Sequence, residues 1–311
     1  MSIDHCLILA AGFGTRMGEI GKHLPKVLWP FFETTLLELQ INFAKFLKIK
    51  NIFVNVHFQS EQIIDYLTSR KLIPKENILF EKEILDIGGA IYNLANQPPI
   101  NYAGKLLVLN SDLFYFFDEV FLNKIAATDF RVKLLTVEVP NNQQYNETVI
   151  NANGELVGIN KSPNYSTNTK DILTYSGLCL VNLAKLERNS GKLSFFESVA
   201  NYKNYSIGTH KLTCTNYWDF GTFQRYYQSI RQVLENIKNG SNDDFINYCL
   251  KNRQINLNNI NDTFLNFSEN KFDKSLVTSN GVIVLKRDQT VKSNMQYNAP
   301  GIYWNEIFIP I

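Results

Sequence analysis

The sequence contains no long hydrophobic run, because none of its apolar stretches approaches the roughly 20 residues that a membrane-spanning helix needs. Its amino terminus also lacks the basic region, apolar stretch and small-residue cleavage site of a secretory signal. We therefore expect a protein of the cytoplasm that does not associate with membranes.

Cysteine is scarce and unpaired in sequence. Cys6, Cys179, Cys214 and Cys249 are far apart, lie mostly among apolar neighbours and form no C-x-x-C pair. This usage predicts reduced core residues and argues against disulfides or a zinc site.

An excess of charge of one sign is also missing. The net charge is +2, and the lysines and arginines are spread along the chain. Nothing in the charge pattern therefore points to a nucleic-acid partner, and an anionic ligand must be small and held locally. With 311 residues and 45% hydrophobic content, the chain can bury the core of one large domain or two modest ones.

What the first half does contain is a regular alternation of strand and helix patterns. The expected strands lie at 5–10, 52–56, 78–80, 105–109 and 132–139, and the expected helices at 34–48, 60–70, after Gly89, and at 118–127. Ser60 is the expected N-cap of the second helix. This alternation predicts an α/β fold, a Rossmann-like and mostly parallel sheet with helices on both faces.

The alternation of strand and helix patterns ends at about residue 145. Segments 148–150 and 155–159 flank an Asn-Ala-Asn-Gly turn and predict an inserted antiparallel hairpin. A strand at 174–181, a short strand at 218–221 and a long helix at 222–238 follow. The polar stretch 239–244 predicts a boundary between a catalytic domain, 1–238, and a C-terminal extension, 239–311.

The C-terminal extension reads as a short helix at 245–251 followed by a β-leaning tail from 277 to 311. Its last residues are strongly apolar and are not expected to stay exposed. They predict either packing against the catalytic domain or the interface of a homodimer.

The motif with the most chemical content is LILAAGFGTRM at residues 7–17, where a strand opens into a glycine turn. It is not a dinucleotide fingerprint, because the third glycine would fall at Met17, and it is not a P-loop, because no G-K-[ST] follows. A turn rich in backbone N–H groups remains, flanked by Arg16 and, beyond Pro25, by Lys26. Two cations beside such a turn are what a triphosphate requires, although Lys26 alone could be a solvated loop residue.

Two aspartates follow the ends of apolar strands. Asp112 comes after the strand that ends at Leu109, and Asp219 precedes a helix. A divalent cation is a suitable partner for carboxylates held near a dry sheet, and two carboxylates with phosphate oxygens commonly hold Mg²⁺. The alternatives are that Asp112 caps a turn and that Asp219 caps the helix, although Thr222 is better placed for that cap.

A pair of glycines opens a further helix at Gly88 and Gly89. Such a pair lets the backbone approach a flat ligand, such as a base or ribose, but it also suits a tight loop.

These motifs, in this order over the first 225 residues, resemble the sugar-1-phosphate nucleotidylyltransferases. The matching pieces are L-A-A-G-F-G-T-R-M with P-K downstream, L-D-I-G-G-A, N-S-D (the family's N-G-D), Y-S-G and W-D-F-G-T. The stretch from Asn55 through His57 to Gln62 and Ile63 is similar to the branch with N-acetylmuramate-1-phosphate uridylyltransferase and the mannose- and heptose-1-phosphate guanylyltransferases.

The resemblance implies a glycosyltransferase A-type fold and a role for each motif. A nucleoside triphosphate (UTP, GTP or CTP) would contact Ala10, Ala11, Gly12, Gly14, Thr15, Arg16, Lys26, Gly88 and Gly89. A sugar 1-phosphate would contact Lys161, Tyr175 and Gly177, and Mg²⁺ would be held by Asp112 and Asp219. Arg16, Lys26 and Asp112 would be the catalytic residues of NDP-sugar formation with release of pyrophosphate, in the biosynthesis of cell-envelope polysaccharide.

The sequence departs from the family pattern in the acceptor region. Asn160-Lys161-Ser162-Pro163 stands where the family has E-K-P, and Ser111 stands where it has glycine. These departures leave open the sugar, and also the base, for which the paired glycines favour uridine. Two other functions stay open: transfer of CMP to phosphocholine or another small phosphorylated alcohol, with Tyr175, Tyr217 and Trp218 as candidates to surround an ammonium group, and a catalytically weakened nucleotide-sugar sensor.

Overall fold

The computed structural model describes residues 3–140, 145–161, 171–212, 217–257, 281–285 and 300–311, with the backbone alone at 269–271 and 276–278. The strands are β1 (His5–Leu9), β2 (Pro30–Phe31), β3 (Thr34–Thr35), β4 (Asn51–Val56), β5 (Ile78–Phe80), β6 (Lys105–Asn110), β7 (Leu113–Tyr115), β8 (Val132–Val139), β9 (Glu147–Ile150), β10 (Leu156–Asn160), β11 (Ile172–Asn182), β12 (Gly208–Lys211), β13 (Tyr217–Asp219), β14 (Glu269–Lys271), β15 (Leu276–Thr278), β16 (Val282–Val284), β17 (Gly301–Trp304) and β18 (Ile307–Pro310). The helices are α1 (Gly18–Gly21), α2 (Leu36–Phe46), α3 (Ser60–Ser69), α4 (Asp86–Ala95), α5 (Glu119–Ala126), α6 (Phe223–Lys238) and α7 (Asp244–Lys251).

A seven-stranded sheet forms the centre of the molecule, in the order β12-β8-β11-β6-β1-β4-β5. Neighbouring strands pair in parallel except at β11, which is antiparallel to both β6 and β8. Two hydrophobic clusters pack on this sheet, since residues alternate between its faces: Cys6 and Ile8 of β1 belong to one and Leu7 to the other. The predicted α/β fold with a mostly parallel sheet and inserted antiparallel strands is confirmed.

The carboxyl ends of β1 and β6 lie side by side, because Leu9 pairs in register with Asn110. The glycine turn that follows β1 and the Asn110-Ser111-Asp112 segment that follows β6 therefore share one edge of the sheet. That edge is where open α/β sheets bind their ligands.

A two-stranded sheet brings a distant part of the chain to the same edge. β7 begins one residue after Asp112, and β13 pairs antiparallel with it so that Asp219 lies opposite Leu113. The backbone N–H of Phe220 donates to the carbonyl of Asp112 at 2.8 Å. This pairing places Asp219 beside Asp112, and Thr222 then caps α6, its side chain accepting from the Arg225 N–H.

The residues after α6 pack on the rest of the molecule. Phe245 of α7 lies 4.4 Å from Phe114 and 5.3 Å from Trp218, measured between ring centroids. Strands β14 to β18 form a five-stranded sheet, and its buried Ile283 and Ile302 belong to the larger hydrophobic cluster. The apolar tail thus packs in part on residues before 239, with Ile302 buried and Ile311 43% exposed, whereas a homodimer and a domain boundary at 238 stay predictions.

Three details differ from the sequence-based expectations or complete them. Gln59, in the left-handed region, is the N-cap of α3, so the expectation for Ser60 was wrong. Helix α4 begins at Asp86, before the glycine pair. Cys6, Cys179 and Cys249 are buried free thiols, as expected, and Cys214 lies outside the described residues. None of the helices in the described part of the chain is long and apolar enough to cross a membrane.

Candidate active site

Asp112 and Asp219 face one small space. A side-chain carbon placed on Gly221 would lie 3.3 Å from Asp112 Oδ2 and 2.8 Å from Asp219 Oδ1. Both aspartates are buried, and the Gly221 N–H donates to Asp219 Oδ1 at 2.6 Å. The missing side chain at Gly221 thus keeps the space between the two carboxylates open.

Each carboxylate has a cationic partner. Lys26 Nζ donates to Asp112 Oδ2, and Arg16 Nη2 lies 3.9 Å from the same oxygen. Arg225 Nη1 donates to Asp219 Oδ2 at 2.8 Å, and the Tyr145 hydroxyl donates to it as well. Opposite charges therefore alternate across the site, which limits the cost of burying them.

The charges at the site set its protonation states. Burial opposes ionisation of Asp112, but Lys26 and Arg16 outweigh it and hold the pKa of this carboxyl below its ordinary value. Burial, with the negative charge of Asp219, raises the pKa of Tyr145 and of Tyr217. At neutral pH Asp112 is ionised and these tyrosines remain protonated hydrogen-bond donors.

Two cavities meet at Asp112, and Asp219 lines the larger of them. The first, about 290 Å³, is called the turn cavity and is lined by Ala10, Ala11, Gly12, Lys26, Asn55 and Glu81. The second, about 480 Å³, is called the aromatic cavity and is lined by Tyr145, Tyr175, Phe195, Phe196, Tyr217 and Arg225. Arg16, Asp86, Ile87, Asn110 and Asp112 line both. The site thus offers two chambers with a charged junction.

Most of the glycine turn lies where the sequence predicts. Ala10, Ala11 and Gly12 line the turn cavity, and the Arg16 side chain is 64% exposed at the junction. Gly14 has a φ of 63°, which suits glycine, and its backbone packs beside Lys26. Gly14 and Thr15 belong to the same turn but do not line either cavity.

The glycine pair has a structural explanation. Gly88 and Gly89 are buried in the first turn of α4, against the segment 191–198. A side-chain carbon on Gly88 would lie 2.6 Å from the Leu193 carbonyl oxygen, and one on Gly89 would lie 2.3 Å from that of Gly191. Close packing of protein backbone therefore accounts for both glycines, and their contact with a base stays a prediction.

The predicted acceptor residues separate in the structure. Tyr175 and Gly177 line the aromatic cavity at an irregularity in β11, where Gly177 has a φ of 82° and packs against Asn110. Lys161 follows β10, is exposed, and lines neither cavity. The Ser162-Pro163 departure lies outside the described residues.

Several polar residues support the site without having been assigned a role from sequence. Asn55 Oδ1 accepts from the Ala10 N–H at 2.9 Å, and its Nδ2 donates to the buried Glu81 at 2.7 Å. Gln62 Nε2 donates to the His23 carbonyl at 3.1 Å. The Asn55 to Gln62 stretch was noticed only as a family pattern, yet its spacing ties β4 and α3 to the glycine turn and the loop after it.

A further support lies under the Asn110-Ser111-Asp112 segment. The buried Gln40 of α2 donates through Nε2 to the carbonyls of Asn110 and Leu113, at 3.1 and 2.7 Å. These bonds fix the backbone on both sides of Asp112. A lone glutamine on an apolar helix face was the only sequence signal for this role.

The site has the donors that a magnesium ion prefers. Two carboxylates facing one space supply hard oxygen ligands, and phosphate oxygens commonly complete such a site. Within the described residues, no group of three or more His, Cys, Asp or Glu side chains is arranged to hold a metal. The donor set therefore fits Mg²⁺ bound together with a phosphorylated ligand rather than a closed structural metal site.

One known protein family matches most of the chain. The family model described as nucleotidyl transferase matches residues 5–236, from β1 to near the end of α6. The chain belongs to the nucleotidyl transferase family.

Among curated members, D-glycero-alpha-D-manno-heptose 1-phosphate guanylyltransferase of Campylobacter jejuni is 29% identical over 140 residues, which is 45% of this chain and 60% of that protein. The bifunctional protein GlmU of Methanococcus aeolicus is 26% identical over 243 residues, 75% of this chain and 55% of its own length. The nucleotidyl transferase chain thus spans somewhat more than half of each relative.

Two solved structures share the nucleotidyl transferase fold. HddC from Yersinia pseudotuberculosis matches with a TM-score of 0.62 and 19% identity, covering 74% of this chain and 99% of that one. The same protein complexed with GMP-PN matches with a TM-score of 0.59 at 18% identity. The unmatched quarter of the nucleotidyl transferase chain has no counterpart in these structures.

Proposed function

We propose that the protein transfers a nucleoside monophosphate from a nucleoside triphosphate to a sugar 1-phosphate, with Mg²⁺, and releases pyrophosphate. The observation that carries this proposal is the junction of two cavities at Asp112 and Arg16, with Asp219 lining the aromatic cavity beside it. A nucleotide in the turn cavity and an acceptor in the aromatic cavity would meet there through their phosphates.

In this reaction an acceptor phosphate oxygen forms a bond to the α-phosphorus of the nucleotide. The bond from that phosphorus to the oxygen that bridges the α- and β-phosphates breaks. The electron pair of that bond leaves with pyrophosphate. A phosphate monoester is already an anionic nucleophile at neutral pH, so alignment and charge neutralisation are the main requirements.

The side chains of the junction suit those requirements. Lys26, only 15% exposed, would neutralise charge near the α-phosphate, and the exposed Arg16 would stabilise the departing pyrophosphate. Asp112 and Asp219 would hold Mg²⁺, which supplies further positive charge at the phosphates when bound.

The turn cavity supports guanine as the base. Glu81 lines this cavity with a carboxylate, and its two oxygens already accept from Asn55 Nδ2 and, at 3.0 Å, from the Leu85 N–H. A carboxylate keeps further acceptor capacity, and guanine presents adjacent N1–H and N2–H donors that two carboxylate oxygens match. Uracil presents one such donor, so we propose GTP ahead of UTP.

The aromatic cavity fits a ring with apolar C–H faces, which aromatic side chains contact well. A screen of pyrophosphate release with GTP, UTP, CTP and ATP against hexose and heptose 1-phosphates and phosphocholine tests the proposal. We expect the fastest release with GTP and a sugar 1-phosphate. Release with only CTP and phosphocholine would show that the acceptor is a phosphorylated alcohol rather than a sugar 1-phosphate. No pyrophosphate release with any pair would favour a sensor.

A further inference from the structure

The three cations of the site are divided among its cavities. A third cavity, called the hairpin cavity, opens beside the aromatic cavity and is lined by Asn146, Thr148, Ile159, Thr174, Thr222 and Arg225, among others. Lys26 lines only the turn cavity, and Arg16 lines all three. Arg225 lines the aromatic and hairpin cavities but not the turn cavity.

Arg225 is held in place by neighbours on two sides. Its Nη1 donates to Asp219 Oδ2 at 2.8 Å, and its guanidinium carbon lies 4.5 Å from the centre of the Tyr145 ring. It lies in the first turn of α6, whose N-cap Thr222 accepts from the Arg225 N–H at 3.2 Å. The side chain is 28% exposed, so part of this oriented guanidinium is presented to the two cavities.

The acceptor side needs a cation of its own. An acceptor phosphate must approach Asp112 and Asp219, and it carries close to two negative charges at neutral pH. Of the described residues that line the aromatic and hairpin cavities, only Arg16 and Arg225 are cationic. Arg16 also faces the turn cavity and is assigned to the pyrophosphate, whereas Lys161 lines none of the three cavities.

We infer that Arg225 binds the phosphate of the acceptor at the junction of the aromatic and hairpin cavities. This inference rests on the proposed function and adds a substrate-binding residue to it. A guanidinium matches a phosphate through two parallel N–H donors, and its stacking on Tyr145 fixes the plane in which those donors lie. The acceptor ring would then extend toward Phe195 and Phe196.

The test compares Arg225→Gln and Arg225→Lys with a matched control. Arg231→Gln removes a cation from the same helix, and Arg231 lines none of the three cavities. For the nucleotide and acceptor that the screen identifies, KM for each substrate, kcat and the Mg²⁺ requirement are measured by pyrophosphate release.

We expect Arg225→Gln to raise KM for the acceptor by about 10- to 100-fold, as for loss of charge-assisted hydrogen bonds, with KM for the nucleotide within about twofold. Arg225→Lys should give a smaller rise, since it keeps the charge but loses the paired donors. The Arg231→Gln control should match the wild type. An unchanged acceptor KM in Arg225→Gln, or an equal rise in nucleotide KM and Mg²⁺ requirement, would overturn the inference, the second by showing action through Asp219.

A binding measurement separates this inference from the proposed function. Calorimetric titration with inorganic phosphate should show about 10-fold weaker binding to Arg225→Gln than to the wild type, and unchanged binding to Arg231→Gln. If the wild type transfers no nucleotide in the screen, the proposed function fails while this comparison still decides the role of Arg225. Equal phosphate binding by wild type and Arg225→Gln would contradict it.

Discussion

The turn cavity and the aromatic cavity are formed by different kinds of protein groups. The turn cavity lies at the ends of parallel strands. The buried side-chain amide of Asn55 and the buried carboxylate of Glu81 support the backbone there. The aromatic cavity is formed by side chains from β11, α6 and the segment 194–196. The central sheet fixes the turn cavity, whereas packing between aromatic rings fixes the aromatic cavity.

This difference bears on what each cavity can recognise. Backbone N–H groups at a turn bind phosphates of any nucleotide, so the turn cavity carries the chemistry shared by a family. Ring faces and a few hydroxyls select a ligand by its shape, so the aromatic cavity is where substrates differ. Of the departures from the family pattern, Ser111 lines the turn cavity, whereas Asn160 is exposed and lines neither cavity.

The largest effect is expected where the two cavities share a residue. Asp112→Asn keeps the size of the side chain but removes the negative charge that faces Asp219. We expect kcat for pyrophosphate release to fall at least about 100-fold, as when a preorganised charge is removed from an active site. Thermal unfolding serves as the control, and near-wild-type turnover in a folded variant would show that the junction is not the reaction site.

A smaller effect is expected at Gly221. In Gly221→Ala the new methyl group would lie 2.8 Å from Asp219 Oδ1 and 3.3 Å from Asp112 Oδ2, so a carboxylate must move. We expect activity to fall by about 10-fold or more and to recover in part at high Mg²⁺, because about 1 Å of misplacement is costly at a reacting centre. An equal loss at every Mg²⁺ concentration would argue against a metal between the aspartates.

The smallest effect on catalysis is expected at Gly88, and it distinguishes this glycine from Gly12. A side-chain carbon on Gly12 meets nothing within 4 Å, whereas one on Gly88 lies 2.3 Å from Ser198 Oγ and 2.6 Å from the Leu193 carbonyl oxygen. Gly88→Ala should therefore cost about 1–3 kcal/mol of unfolding free energy through overpacking, with nucleotide KM little changed.

Gly12→Ala is the matched control for that variant. It should leave stability within about 0.5 kcal/mol and raise nucleotide KM, because Gly12 lines the turn cavity. Denaturant titration and initial rates measure the two quantities. A rise in nucleotide KM in Gly88→Ala without loss of stability would restore the glycine pair as a ligand contact.

The sequence predicts the turn side of the molecule better than the aromatic side. Strands such as β1 and β6 are continuous apolar runs, and their ends place Arg16 and Asp112 at one edge without knowledge of distant contacts. The cap at Thr222 also follows from local spacing.

The remaining parts depend on long-range packing. β7 and β13 are three residues each, too short to give a periodic signal, yet their pairing is what unites Asp112 with Asp219. Asp86, the first residue of helix α4, has a φ of 57°, a conformation that aspartate tolerates better than most residues. Phe195 and Phe196 reach the aromatic cavity through a segment with no regular pattern, and position alone distinguishes Arg225 from Lys161.

The contact between α1 and β18 joins two segments that are far apart in the chain. Gly18, next to the glycine turn, packs on Ile309, and His23 stacks on Trp304 with ring centroids 6.3 Å apart. The glycine turn is therefore synthesised long before β18, the strand that packs beside it. A chain truncated before β18 would hold the central sheet without this contact beside the glycine turn.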